Sequence, residues 1–403
     1  MMIQRNHCIQ PHKEAVTMNN SSQLKQAKKL YDSSKYEESL DLYEQLFNEN
    51  PDDFNIGDLI SYCWAIYQCQ VKNFTDENEL FEATELITEL IPQADLNYSN
   101  TCPYTFSVMK VLDLLYGKKE YYNMSYWLDK LNPVLLDETR NNYKGRLYRS
   151  KKEKYYDYSS KSELECAEWN SCIEICNEAL DSLNEFTNNS DTWYRWRIAK
   201  SLKELNKNAE ALEYLNDVLQ VKKDWFVFKE FAENYHILNE NEKALNYICE
   251  AILTNDPVNI KVNLYCLAYE ILDELNREIA FRHVELCYLL KVESGAQIPD
   301  ELEDLMIDED ELDKNQLIEE INNYWSDVKF KNREQEYGTV KKYFEDKNFG
   351  FITNNKDESI FFHKNEFKGD NVYVGQLVSF YTEKSFDKSK NEESLKAVCI
   401  RGE

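Results

Sequence analysis

The sequence predicts a multidomain α plus β protein: a long solenoid of paired helices, then a small five-stranded β-barrel. Three observations predict it. Apolar residues recur at three- and four-residue spacing from about 21 to 294, a helical period. Small residues return at near-constant intervals within that stretch. Beyond residue 336 the period shortens to two, the alternation of strands.

Composition agrees. The 403 residues are too many for one ordinary core. With 42% hydrophobic and 13% aromatic residues, the chain is not mostly disordered. Only 9 Gly and 7 Pro occur, which favours long helices and short turns. Residues 1–20 lack an apolar export core and are expected to be disordered. No stretch approaches the roughly 20 apolar residues of a membrane span. A soluble, cytoplasmic protein with no membrane contact is expected. The 11 Cys include no Cys-x-x-Cys, so free thiols are expected, with no zinc and no other cofactor.

The helical repeat shows first in Ala27 to Pro51. One helix presents Ala27 and Leu30; after Tyr36 a second presents Ser39, Leu40, Tyr43 and Leu46. Ala199, Ala232 and Ala268 then hold the small position of a first helix. Ala211, Ala244 and Ala280 hold that of a second, and both series step by 33 and then 36 residues. Leu202, Tyr235 and Ile271 fill the large position three residues on. This pattern resembles the tetratricopeptide family (TPR), loosely so from 54 to 189. One helix pair cannot cover its own apolar face, so pairs stack and leave a groove. The resemblance implies a protein partner in that groove. The helical repeat domain is expected over 21–295.

A linker is expected over 296–335. From 300 to 320 there are 11 acidic residues and one Lys, with Leu302, Leu305, Ile307, Leu312, Leu317 and Ile318 interleaved. A short acidic helix docked on the last repeat accounts for them. The sharper alternative is an acidic segment that competes with nucleic acid for the next domain.

The final domain is expected over 336–403, with strands near 337–344, 348–353, 359–363, 376–383 and 394–400. Turn-type residues separate them: Asp346, Asn354-Asn355, Gly369-Asp370 and the polar run 387–391. Alternation assigns Val340, Ile352, Ile360 and Phe362 to the core. It leaves Tyr343, Phe349, Phe351, Phe361 and His363 facing out, with Lys341, Lys342, Lys347 and Lys364 around them. Exposed rings suit stacking with unpaired bases, and lysines suit phosphates. Double-stranded nucleic acid hides its base faces, so single-stranded RNA or DNA is the expected partner.

The net charge is −27, which argues against a protein that wraps DNA electrostatically. Residues 337–403 carry 11 Lys+Arg and 11 Asp+Glu, so the acidity belongs to the rest of the chain.

The run GTVKKYFEDKNFGFI, with SIFFH and GQLVSF after it, resembles the cold-shock domain family, a variety of OB-fold. RRM domains carry similar motifs, but place the short one first with a helix between. The resemblance implies single-stranded nucleic-acid binding with weak sequence preference. Two departures stand out. The family's first-strand Trp is Lys342 here, and the aromatic that usually follows the second-motif His is Lys364. A smaller, more basic platform is implied, with lower affinity and stronger salt dependence.

Enzyme signatures are missing. His7 and His12 fall in the N-terminal segment, His236 and His283 in repeat helices, and His363 in the aromatic patch. No His-Glu-x-x-His, phosphate loop or Gly-x-Ser-x-Gly occurs. Two functions are therefore expected to compete. One is a non-enzymatic adaptor joining single-stranded nucleic acid, RNA first, to a protein. The other is a protein-assembly scaffold or regulator with weak or no nucleic-acid binding.

Overall fold

The computed structural model describes residues 11–93, 102–273, 275–306, 313–331, 333–368, 372–387 and 392–402. Residues 1–10, Ile307, Leu312 and the expected turns at Gly369-Asp370 and 388–391 lie outside the described residues. The chain divides into two compact units, 1–207 and 208–403.

The first unit is built from α1 (Pro11–Asp32), α2 (Tyr36–Glu49), α3 (Ile56–Ile66), α4 (Glu77–Leu90), α5 (Pro103–Lys118), α6 (Tyr121–Asp129), α7 (Lys151–Glu165), α8 (Trp169–Ser182) and α9 (Asp191–Glu204). α1 starts at Pro11, so half of the segment expected to be disordered is helical instead. A proline's fixed φ suits a first helical position, and Lys, Glu, Ala and Gln in the run that follows favour helix. The small residues of the first repeat do what the pattern requires. Ser39 Oγ donates to the Ala27 carbonyl at 2.8 Å, so the two helices touch backbone to side chain. The same 12-residue offset returns at Ser160 and Cys172, where the thiol donates to the Ser160 carbonyl at 3.3 Å. Between these pairs the repeat is broken. A π-turn, Tyr67–Val71, extends α3, and a hairpin of β1 (Asn142–Tyr143) and β2 (Arg146–Leu147) precedes α7. Buried charges on α7 are paired, as they must be. Asp157 accepts from the Arg197 guanidinium at 2.7 Å. Glu153 accepts from the Thr187 backbone N–H at 2.8 Å and from Ser190 Oγ at 2.5 Å.

The second unit continues with α10 (Asn208–Val221), α11 (Trp225–Ile237), α12 (Asn241–Ile252), α13 (Val262–Leu272), α14 (Arg277–Ser294), α15 (Asp300–Asp304) and α16 (Lys314–Phe330). Ala232, Ala244, Ala268 and Ala280 are fully buried where helices cross. The paired, stacked helices form a TPR-like solenoid. One cysteine expectation changes here. Antiparallel packing of α13 on α14 brings Cys266 and Cys287 together as a disulfide, with Cα atoms 6.2 Å apart. Eight other described cysteines form no disulfide.

α16 ends the solenoid. It buries Leu317, Ile321 and Trp325 in the same core as α12, α13 and α14. The Trp325 indole N–H donates to His283 Nε2 at 2.8 Å. His283 Nδ1 in turn donates to the Ile279 carbonyl at 2.7 Å. The described part of the acidic stretch thus packs on the last repeat through its apolar side.

The barrel follows: β3 (Glu336–Phe344), β4 (Phe349–Asn354), β5 (Ser359–His363), β6 (Phe367–Lys368), β7 (Leu377–Asp387) and β8 (Glu392–Gly402). The order β5-β4-β3-β7-β8 closes through a parallel β5–β8 contact at Phe361 and Lys396, and the two-residue β6 lies beside β8. The five long strands are those the sequence predicts. Val340, Ile352, Ile360 and Phe362 fill the core with Phe367, Val378, Phe380, Ala397 and Ile400. A register shift between Ser379 and Tyr381, with Cys399 at φ 49°, lets β8 serve two sides. Ile400 enters the barrel core, while Val398 and Cys399 pack with Phe330 at the end of α16. Lys329 bridges Glu250 on α12 at 3.1 Å and Glu383 on β7 at 3.4 Å. The barrel is therefore seated on the terminal helix of the solenoid.

Candidate nucleic-acid interface

The site lies on the outward faces of β3, β4 and β5. On β4 the residues alternate strictly: Phe349 and Phe351 are half-buried, and Gly350 and Ile352 are buried. β5 is in register with it, Phe349 opposite His363 and Phe351 opposite Phe361. Those four rings therefore stand on one face, as the sequence predicts.

β3 departs from prediction. Val340 pairs with Ile352, but Lys342 rather than Lys341 pairs with Phe351. Lys341 is the extra residue of a β-bulge. One inserted residue reverses the parity of everything after it. Tyr343 therefore falls opposite Gly350 and Phe344 opposite Phe349. The assignment of Tyr343 to the outward platform is corrected: its ring packs on the barrel core, 6.3 Å from Phe362 and nearly parallel to it. Its hydroxyl is buried without a hydrogen-bond partner among the described residues.

Phe344 takes the outward place instead. It is 42% exposed, and its ring lies 5.0 Å from Phe349. Alternation without the bulge hides this residue. The visible trace was Lys341-Lys342, two consecutive charged side chains in a strand that alternates elsewhere.

The result is one continuous aromatic surface. Ring centroids are 5.6 Å apart for Phe349 and Phe361, 5.9 Å for Phe351 and Phe361, and 5.0 Å for Phe361 and His363. His363 is exposed, and its Nδ1 lies 3.3 Å from the Asn348 carbonyl, which orients the ring. Gly350 lets the strands approach. A Cβ there would sit 2.3 Å from the Lys342 carbonyl oxygen and 2.5 Å from the Phe362 ring.

Lys341, Lys342, Lys347 and Lys364 are all exposed. None of them forms an ion pair among the described residues. Lys396, beside Phe361 in register, differs: it is shared between Glu366 at 3.4 Å and Glu383 at 3.6 Å. Four uncommitted cations thus rim the rings. Flat faces for bases and mobile ammonium groups for phosphates are what a single strand requires.

The 'Cold-shock' DNA-binding domain family matches residues 336–396. Those residues form a cold-shock domain. Nucleic-acid binding is what this fold supports. The domain carries Lys342 where the resemblance expects a Trp, and shows Phe344 on its outward face. Residues 192–327 match a domain of unknown function, DUF7017. No curated protein matches the sequence. Among solved structures, the chain is similar to a tetratricopeptide repeat protein from Parabacteroides merdae. Identity is 14% over 72% of this chain and 98% of that one, with a TM-score of 0.35. It is similar to the apo form of RapI at 14% identity, over 77% of this chain and 87% of that one, TM-score 0.42. It is also similar to the Cut9-Hcn1 assembly at 13% identity and TM-score 0.38, over 68% of this chain and 47% of that one, about half its length.

Proposed function

We propose that the protein is a non-enzymatic adaptor that binds single-stranded nucleic acid, RNA in preference to DNA, on its cold-shock domain. The solenoid holds a protein partner in its groove and so places that partner on the bound strand. One observation carries the reading: Phe344, Phe349, Phe351, Phe361 and His363 form an unbroken aromatic face ringed by Lys341, Lys342, Lys347 and Lys364. An apolar face of this kind is unfavourable in water unless something covers it. Bases cover it at about 1–3 kcal/mol each.

Eight described cysteines outside any disulfide, against one bridge, favour a reducing setting, the cytoplasm. No described helix is long and apolar enough to cross a membrane.

The test is a fluorescence titration of labelled single-stranded RNA and DNA against the wild type and Phe349→Ala/Phe361→Ala. Wild-type binding with loss in the variant is expected. Equal binding by both sinks the reading.

A second reading, a protein-assembly scaffold or regulator, draws on the acidity. The entire −27 lies outside residues 337–403, and Lys342 and Lys364 shrink the platform. Partners that survive nuclease treatment, in preparations free of nucleic acid, would favour it.

A further inference from the structure

The first unit holds a second basic and aromatic feature, remote in sequence from the barrel. From Arg140 to Lys152 there are six basic residues and no acidic one, in a chain of net charge −27. The β1–β2 hairpin sits inside this run. Its two turn residues, Lys144 and Gly145, have φ of 51° and 80°, the type I′ geometry that suits a tight hairpin. Asn142 Oδ1 accepts from the Gly145 N–H at 3.1 Å and holds the turn.

The register decides what the hairpin shows. Tyr143 pairs with Arg146, and the Tyr148 N–H donates to the Asn141 carbonyl at 2.9 Å. Alternation then puts Tyr143, Arg146 and Tyr148 on one face. Tyr143 is 62% exposed and Tyr148 45%. A cation lies over each ring: Lys144 Nζ 5.2 Å from the Tyr143 centroid, and the Arg146 guanidinium 5.4 Å from that of Tyr148.

The other basic side chains of the run are committed. Arg140 pairs with Glu185, Arg149 with Asp157, and Lys152 with Glu138. Lys151 is packed over the Phe106 ring at 4.0 Å. These contacts hold the base of the hairpin. Lys144 and Arg146, at its tip, have no carboxylate partner among the described residues. So short a hairpin buries little of its own and adds little to stability. Its exposed chemistry is what remains to be explained.

We propose that this hairpin is a second contact for the same single-stranded nucleic acid, with Tyr143 and Tyr148 stacking on bases and Lys144 and Arg146 meeting phosphates. The site rests on the reading of the cold-shock domain as the primary binding surface. Two separated rings, each paired with a cation, fit a strand whose bases and phosphates alternate. An acidic peptide would meet the cations but leave the rings without a role.

Crosslinking tests it with the full chain. The probe is a uridine-rich RNA carrying 4-thiouridine, longer than the roughly 4–16 nucleotides one such barrel covers. Crosslinked peptides are then mapped in the wild type, in Tyr143→Ala/Tyr148→Ala and in Lys144→Glu/Arg146→Glu. Crosslinks at Tyr143 or Tyr148 are expected beside those in the barrel. Each variant should weaken binding about fivefold or more, the loss of one stacked base or its phosphate partner. Crosslinks confined to the barrel, with both variants binding as the wild type does, overturn the hairpin site and leave the barrel reading intact. Crosslinks confined to the hairpin overturn the barrel reading and, with it, the assignment of the hairpin as a second contact. A scaffold effect of the substitutions would show as lowered thermal stability, which exposed positions on a paired hairpin should not produce.

Discussion

The ring of Phe330, at the end of α16, lies flat on that of Tyr381 in β7, with centroids 4.4 Å apart and planes 7° apart. Phe330 is buried, and Val398 and Cys399 complete the contact. Arg401 on β8 adds a bond to Asp327 on α16 at 3.0 Å. The cold-shock domain is thus mounted on the terminal helix α16. Phe330→Ala should cost about 3 kcal/mol, the low end for a buried phenylalanine. In a double-mutant cycle with Tyr381→Ala, about 0.5–1.5 kcal/mol should appear as coupling. Hydrogen exchange is the direct check. Amides near 327–331 should exchange faster in the variant, while those of Val340 and Phe362 in the barrel core stay protected.

His283 makes the second unit sensitive to acid. Burial holds its pKa down to about 4, and the hydrogen bond to the Ile279 carbonyl only partly opposes this. The unfolded value is about 6.5. Between these two values the unfolded chain binds more protons, so stability rises with pH. The contribution is complete above about 6.5 and is lost as pH falls toward 4, up to about 3 kcal/mol in all. Urea unfolding followed by tryptophan fluorescence should show midpoints falling between about pH 7 and pH 5. His283→Asn, less stable throughout, should show a shallower fall across that window. Parallel slopes would remove the assignment to this histidine.

Much of this architecture was legible, for physical reasons that also mark its limits. Ala232 with Ala244, and Ala268 with Ala280, stood out because alanine is the smallest side chain where helices cross. Ser160 and Cys172 occupy an equivalent crossing that no alanine marks, because the same steric demand is met there by different chemistry. The barrel core was readable because strand periodicity is two. The bulge at Lys341 was not, since an inserted residue changes parity without changing composition. That single insertion exchanged the places of Tyr343 and Phe344. The seat of Phe330 on Tyr381 is a tertiary contact across 51 residues, and no local pattern announces it.

The exchange of Tyr343 and Phe344 separates two variants. Phe344→Ala removes a ring from the platform, so affinity for single-stranded oligonucleotide should fall by about 1–3 kcal/mol. Tyr343→Phe deletes a buried hydroxyl that has no partner among the described residues. Binding should stay unchanged, and thermal stability should hold or rise by about 1 kcal/mol. Titration and melting of the two proteins check both statements. Unchanged binding by Phe344→Ala would instead restore the uninterrupted alternation of β3.

Lys342 offers the last and most discriminating test. It stands outward on β3, directly opposite Phe351 in the ladder, where the cold-shock family pattern places a tryptophan. A lysine there exchanges a stacking ring for a phosphate contact. With four lysines free of ion pairs among the described residues, the plot of log affinity against log salt should have a slope near −3, from about −0.7 per neutralised phosphate of a single strand. Lys342→Trp should then do two opposite things. It adds a stacking surface, so affinity at high salt should rise by about 1–3 kcal/mol. It removes one phosphate contact, so the slope should become shallower by about 0.7. The two titration curves therefore converge at low salt and separate at high salt. A uniform offset at all salt concentrations would mean that Lys342 makes no phosphate contact, and the basic rim would reduce to Lys341, Lys347 and Lys364.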